Sequence, residues 1–411
     1  MTVARKDWPI PPAKDPRYTG KAAYRQATRS ESDAWVREGH LVCRRLRIHD
    51  GHREVAAGEC AITSLVPGPN GVILGATSGA RAHLIVYYPD APVCGLADLG
   101  VVGESCEVKG TLVAWDDHTV FAGTSTGQLV KADIAEFWVH EQVQSRGVPP
   151  ARTIAPVAEP VSGEGICALV GVPEAGVLVG LTQPGGVLFT YRPETGEVVQ
   201  IGAVDEIGMF SRRLIAIGEA VFGARSLGRI YRFTPSAPSG IEDLGIAIPH
   251  MPGRSYYSRV DSWVHDTRSG TVYGGDEADG LLFAWDVATG KMRVLGKPVA
   301  PPRIRAIAVT SDGRVYGMAG DEGALAHLFC WDPATAELRD LGVPLATIER
   351  RWYGYEFDAA CTGPQGEIYF GESDRVSHLF IYVPAYRATS PASSPRDGDC
   401  CCEPLVEPAR H

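Results

Sequence analysis

Between residues 71 and 372 the chain repeats one short pattern seven times: a turn, a pair of β-branched or aromatic residues, and a glycine. The copies read "GVILGAT" (71–77), "HTVFAGT" (118–124), "GVLVGLT" (176–182), "EAVFGAR" (219–225), "GTVYGGD" (270–276), "GRVYGMA" (313–319) and "GEIYFGE" (366–372). After a short loop each is followed by an aromatic-rich strand pattern, for example "HLIVYYP", "VLFTYRP", "HLFCWDP" and "HLFIYVP". An apolar strand pattern such as "AITSLVP" or "IRAIAVT" precedes each copy, and a weaker one ending in "DLG" or its like follows most of them. Four short strands recurring about every 50 residues, with no long helical periodicity, predict an all-β fold. The expected architecture is a seven-bladed β-propeller of four-stranded antiparallel blades.

The last copy lacks a fourth strand, because "HLFIYVP" runs into "AYRATSPASSPRDGDCCCEPLVEPARH". Upstream, "GHLVCRRLRIHDG" (39–51) is a strand pattern without a blade. An N-terminal strand near residues 41–48 is therefore expected to complete the last blade, closing the ring and removing an exposed edge. The resulting division is an N-terminal arm (1–38), the propeller (39–387) and a C-terminal tail (388–411) whose Ser, Pro, Ala and charge predict disorder.

The 411 residues are 45% hydrophobic and 21% charged, enough for a sizeable core. A net charge of -10 argues against nucleic acid or an anionic membrane as a partner, since both need a basic footprint. The N-terminal stretch has no signal-like apolar region and no run approaches a membrane span. A soluble, cytoplasmic monomer is the expectation. Ten cysteines include no CxxC pair, and Cys43, Cys60, Cys167, Cys330 and Cys361 fall inside apolar strand patterns, so reduced core thiols are expected. The run Cys400-Cys401-Cys402 cannot easily surround a metal tetrahedrally and is assigned no function.

In a propeller the loops joining second to third strands share a face with the starts of the innermost strands. The residue opening the third strand therefore belongs to that face, and in the seven blades it reads His83, Gln128, Val187, Arg229, Leu281, His327 and His378. The fold does not demand histidine there. His83, His327 and His378 are either imidazoles that cap a loop or general acids and bases near neutral pH. The heads of the innermost strands carry Glu59, Lys109, Glu164, Arg212, Arg213, Tyr256, Tyr257, Arg259, Arg303, Arg305, Tyr355 and Glu356. Their arginine forks suit carboxylate or sulfate groups, while inter-blade ion pairs would explain the same residues without a ligand. The loops "DEADG", "GDEGA" and "GESDR" add Asp276, Glu277, Asp279, Asp321, Glu322, Glu372 and Asp374. Turn-favouring Asp accounts for them, with a Ca²⁺ site through oxygen ligands as the alternative; otherwise no cofactor is expected. GxxxxGK[ST], HExxH and GxSxG are all absent, which leaves phosphate-loop, zincin and α/β-hydrolase chemistry unsupported.

The texture of "VYGMAGDEGALAHLFCWDPATAELRDLG" resembles that of seven-bladed propellers acting on acidic carbohydrates, the ulvan lyases and the rhamnose-glucuronate-cleaving propeller enzymes. It covers most of residues 55–385 as blade texture, without a catalytic signature that matches residue by residue. The resemblance implies that one face binds a uronate-containing saccharide or another small anion through Arg213, Arg259, Arg305, Glu356 and Lys109. If β-elimination follows, Arg259 and Arg305 would neutralise the carboxylate, and His83, His327 or His378 would exchange protons with Tyr256 or Tyr355. Two other classes compete: a non-catalytic interaction scaffold like the WD-repeat and kelch propellers, for which Trp285-Asp286 and Trp331-Asp332 are the only hint, and a metal-dependent lactonase-type propeller.

Overall fold

A computed structural model describes residues 33–46, 55–56, 58–89, 96–134, 151–237, 240–320, 324–346, 352–374 and 377–385. Among these the chain is all-β, broken only by single turns of 3₁₀ helix, and no helix is long and apolar enough to cross a membrane. Seven antiparallel sheets follow one another in chain order as the blades of a β-propeller. The innermost strands are Ala61–Pro67, Leu112–Ala114, Gly165–Val172, Ile215–Ile217, Val260–Asp266, Ile304–Val309 and Phe357–Thr362, in blades one to seven. In blade one the segment Ile73–Tyr87 supplies both middle strands, its first half pairing inward with Ala61–Pro67 and its second half outward with Leu96–Cys106.

The glycine of each repeat has a packing reason. In blades three, four and five a Cβ at Gly180, Gly223 or Gly274 would collide with the third-strand ring of Phe189, Tyr231 or Phe283, which lies flat across the second strand. The aromatic of the third strand and the glycine of the second are thus one device. Rings placed this way fill the seams between blades, and seven buried apolar clusters correspond to the seven seams. The seam of blades four and five, for example, sets Phe222 edge-on to Trp285 at 5.2 Å and 78°. Burying one such ring contributes about 1.5–3 kcal/mol.

The ring closes as the sequence predicts. His40–Arg45 pairs antiparallel with the third strand of blade seven, from His40 opposite Val383 to Arg45 opposite His378. The sheet then continues outward: Asp33–Trp35, within the expected arm, pairs with this closing strand and with Leu345–Ala346, which in turn pairs with Trp352–Tyr353. Cys43, Cys60, Cys167, Cys330 and Cys361 are free and buried. The tail 388–411 with Cys400, Cys401 and Cys402, most of the arm, and Asp321 and Glu322 lie outside the described residues.

Candidate functional site

At the head of the innermost strands, charged side chains meet across the channel. Lys109 of blade two lies 3.0 Å from Asp358 of blade seven, and the Arg305 Nε of blade six donates to the same carboxylate at 2.9 Å. Arg303 forks onto Asp261 of blade five at 2.7 and 2.8 Å, and the Arg213 Nε of blade four donates to the Asp261 carbonyl at 2.8 Å. These contacts form a deck across the channel that ties five blades together. Arg303 holds a left-handed backbone (φ 75) that costs a non-glycine residue about 1 kcal/mol or more, and its forked pair offsets that strain. Burial raises the Asp358 pKa, but Lys109, Arg305 and Arg213 outweigh it and hold the carboxyl well below the usual carboxylate range.

Above the deck two cavities open at the mouth. One, of about 330 Å³, is lined by Lys109, Arg212, Arg213, Arg259 and Arg303 against Glu107, Asp261 and Glu277, with Gln183 and Cys167 in its wall. The other, of about 810 Å³, shares Lys109 and Arg212 and adds Arg305, Glu356, Asp358 and Asp374. Arg303 and Arg305 answer Glu277 at 3.7 Å and Glu356 at 3.4 Å. Arg212 and Arg259 have no carboxylate partner among the described residues; Arg259 has the Met209 sulfur at 3.2 Å, and its Nε is buried without an acceptor. The Gln183 Oε1 in the same wall is likewise buried without a donor. Burial pushes the Cys167 thiol up to about 12, so it is no thiolate near neutral pH.

The five expected binding residues Lys109, Arg213, Arg259, Arg305 and Glu356 therefore gather at one mouth. The expected acid–base group does not. No histidine or tyrosine is among the described residues lining either cavity. Tyr256 is 54% exposed and edge-on to Tyr257, and Tyr355 is half-buried.

Each histidine instead meets a carboxylate of its own blade. His83 places Nδ1 2.8 Å from Asp98 and Nε2 3.3 Å from Glu59, which Arg81 also holds. His327 Nδ1 lies 3.1 Å from Asp340, and His378 Nδ1 lies 2.8 Å from the fully buried Glu372. The aspartates follow a rule. Asp98, Asp243 and Asp340 stand in the "DLG" of the outer strand, where each accepts the N–H of the glycine two residues on at 2.8 Å and faces the basic residue opening the third strand: His83, Arg229 or His327. Blades two, three and five lack that aspartate and place Gln128, Val187 and Leu281 at the same position. In blades one, four and six basic residue and aspartate occur together, as structural partners do, while in blade seven His378 takes Glu372 of the second strand instead.

Other arginines near these strands are also engaged locally: Arg225 with Asp243, and Arg254 with Asp279. Among the described residues no three His, Cys, Asp or Glu side chains converge as metal ligands would. In "DEADG", Asp276 accepts the Asp279 N–H at 2.7 Å and the Arg259 N–H at 3.3 Å, and burial pushes its carboxyl up to about 6.

No family model and no curated protein sequence matches the chain. Its likeness is to solved structures. The WD40 β-propeller domain of Doa1 matches with a TM-score of 0.53 at 11% identity, over 82% of this chain and 96% of that one. The extracellular domain of the putative one-component system BT4673 from B. thetaiotaomicron matches with a TM-score of 0.54 at 14% identity, over 82% of this chain and 39% of that one. Identities this low establish the propeller fold and nothing finer.

Proposed function

We propose that the mouth binds a carboxylate-bearing ligand, a uronate-containing saccharide, without cleaving it. What carries the reading is the pair Arg212 and Arg259, which line the smaller cavity without a carboxylate of their own. In a chain of net charge -10, a cavity that sets five cations against three carboxylates is a local inversion of sign. Guanidinium forks match the planar geometry of a carboxylate, and the unpaired Gln183 oxygen is an acceptor suited to a hydroxyl. Tyr256 and Tyr257, exposed in the 3₁₀ turn just before Arg259, would offer ring surface and phenolic groups to a sugar. Binding without cleavage follows from where the histidines and Tyr355 lie, outside the cavity linings.

Calorimetric titration with glucuronate and galacturonate oligosaccharides, against neutral glucose oligosaccharides of the same length, tests this reading. Uronates are expected to bind and neutral sugars to bind at least tenfold more weakly, with Arg259→Ala and Arg212→Ala each losing about tenfold or more. Equal binding of charged and neutral sugars overturns the reading. Release of an unsaturated product, seen by its ultraviolet absorbance, overturns the binding-only part of it.

A further inference from the structure

A second cavity, of about 460 Å³, occupies the far half of the channel, below the ion-pair deck. Its wall is made by the later residues of the innermost strands, among them Leu65, Leu169, Ile307 and Ala360. Trp115 of blade two and Trp263 of blade five face this space from opposite sides of the ring. The Trp115 indole packs over Gly171, where an added Cβ would lie 3.7 Å from its ring. The Trp263 indole N–H is buried and has no acceptor among the described residues.

The closed end of this space is the underside of the deck, where Arg213, Arg305 and Asp358 line it. On the mouth side Arg303 and Arg305 also answer Glu277 and Glu356, but toward this space the deck presents two guanidinium groups, Arg213 and Arg305, against the single carboxylate of Asp358. Arg305 turns its Nη1 toward Glu356 on the mouth side, at 3.4 Å without a hydrogen bond, and Arg213 spends its Nε on a backbone carbonyl and has no carboxylate of its own among the described residues. A cavity of this volume falls within the range of small-molecule sites. The apolar half of its wall, the two indoles included, rewards an apolar body, and Arg213 and Arg305 at its closed end supply the pairing that a buried carboxylate requires.

We propose that the far half of the channel binds a small aromatic monocarboxylic acid. Its carboxylate points to Arg213 and Arg305, and its ring lies between Trp115 and Trp263. The site is distinct from the mouth and does not depend on the saccharide reading, because the deck separates the two spaces.

The test uses the full-length protein with ¹⁵N-labelled tryptophan, phenylacetate as probe and phenylacetamide as its neutral counterpart. Trp263→Phe identifies the Trp263 indole resonance by its loss. Phenylacetate is expected to shift that resonance saturably, phenylacetamide to do so at least tenfold more weakly, and Ala360→Leu, which narrows the channel, to abolish the shift while leaving the other indole signals in place. Excess glucuronate should leave the phenylacetate shift unchanged. An unmoved Trp263 signal, equal binding of acid and amide, an intact response in Ala360→Leu, or displacement by glucuronate each overturns the proposal. Failure of glucuronate to bind, with the phenylacetate response intact, overturns the mouth reading alone.

Discussion

Lys109 Nζ stands 3.0 Å from Asp358 Oδ1, so a side chain from blade two reaches past blade one to the innermost strand of blade seven. Neighbouring blades are held by apolar seams, but this contact joins blades that share none. Blade one is drawn in beneath it, because Thr63 and Ser64 both donate to the Val108 carbonyl, at 2.8 and 2.7 Å.

Removing the charge at Asp358 leaves Lys109 and Arg305 facing each other. Asp358→Asn is expected to cost about 3 kcal/mol or more in chemical denaturation, as loss of one partner of a buried pair does. The pH dependence has a definite sign. The folded pKa is depressed, so the stabilisation is complete above the ordinary carboxylate value of 3.8 and drains away as pH falls below it. The wild type should therefore lose stability more steeply than the variant as pH falls below 3.8. Parallel acid titration of the two proteins checks this.

Gly110 answers two constraints at once. Its backbone is left-handed (φ 66), and a Cβ there would run into the Arg213 guanidinium, which crosses to it from blade four. Gly110→Ala is expected to cost about 1–2 kcal/mol for the backbone alone and to displace Arg213. Denaturation would register the first effect, and loss of ligand affinity both above and below the deck the second.

His83 has a carboxylate at each ring nitrogen, an arrangement that only the protonated ring satisfies with two N–H donors. Burial disfavours the charge, but Asp98 and Glu59 outweigh it and raise the pKa above 6.5. The raised folded value means that the stabilisation is complete below 6.5 and is lost as pH rises through the folded pKa. His83→Gln, which installs the residue type found at the same position in blade two, should remove this slope while uronate binding persists. NMR titration of the ring and denaturation above and below neutrality measure both parts.

The blades were legible because each is local. In "GRVYGMAGDEGALAHLFCWDP" the glycine, the aromatic that crosses it and the turn between them all lie in one short continuous stretch, from Gly317 to Phe329. Asp33–Trp35, Leu345–Ala346 and Trp352–Tyr353 were not, since two- and three-residue strands have no periodicity of their own and pair only because distant segments are brought side by side. At the mouth, Lys109, Arg213, Arg259 and Arg305 were readable as charges at strand heads. The sequence signal for Asp261 and Asp358 is subtler: "VDSW" and "FDAA" place a carboxylate inside an apolar strand, a costly choice that signals a buried partner. The carboxylate contacts of the histidines are harder to read for the opposite reason. Their partners Asp98 and Asp340 were in view in "LADLG" and "LRDLG", but the pairing shows only when third and outer strands are compared blade by blade.

The closing strand sets an order of events during synthesis. His40 pairs with Val383, so the closing strand must wait on the ribosome, its partner unmade, while the meanders of blades one to six are completed one after another. Leu41 and Cys43, buried in the finished protein, stay uncovered through that interval. For a nascent chain the seam is both the last bond of the circle and its longest period of exposure.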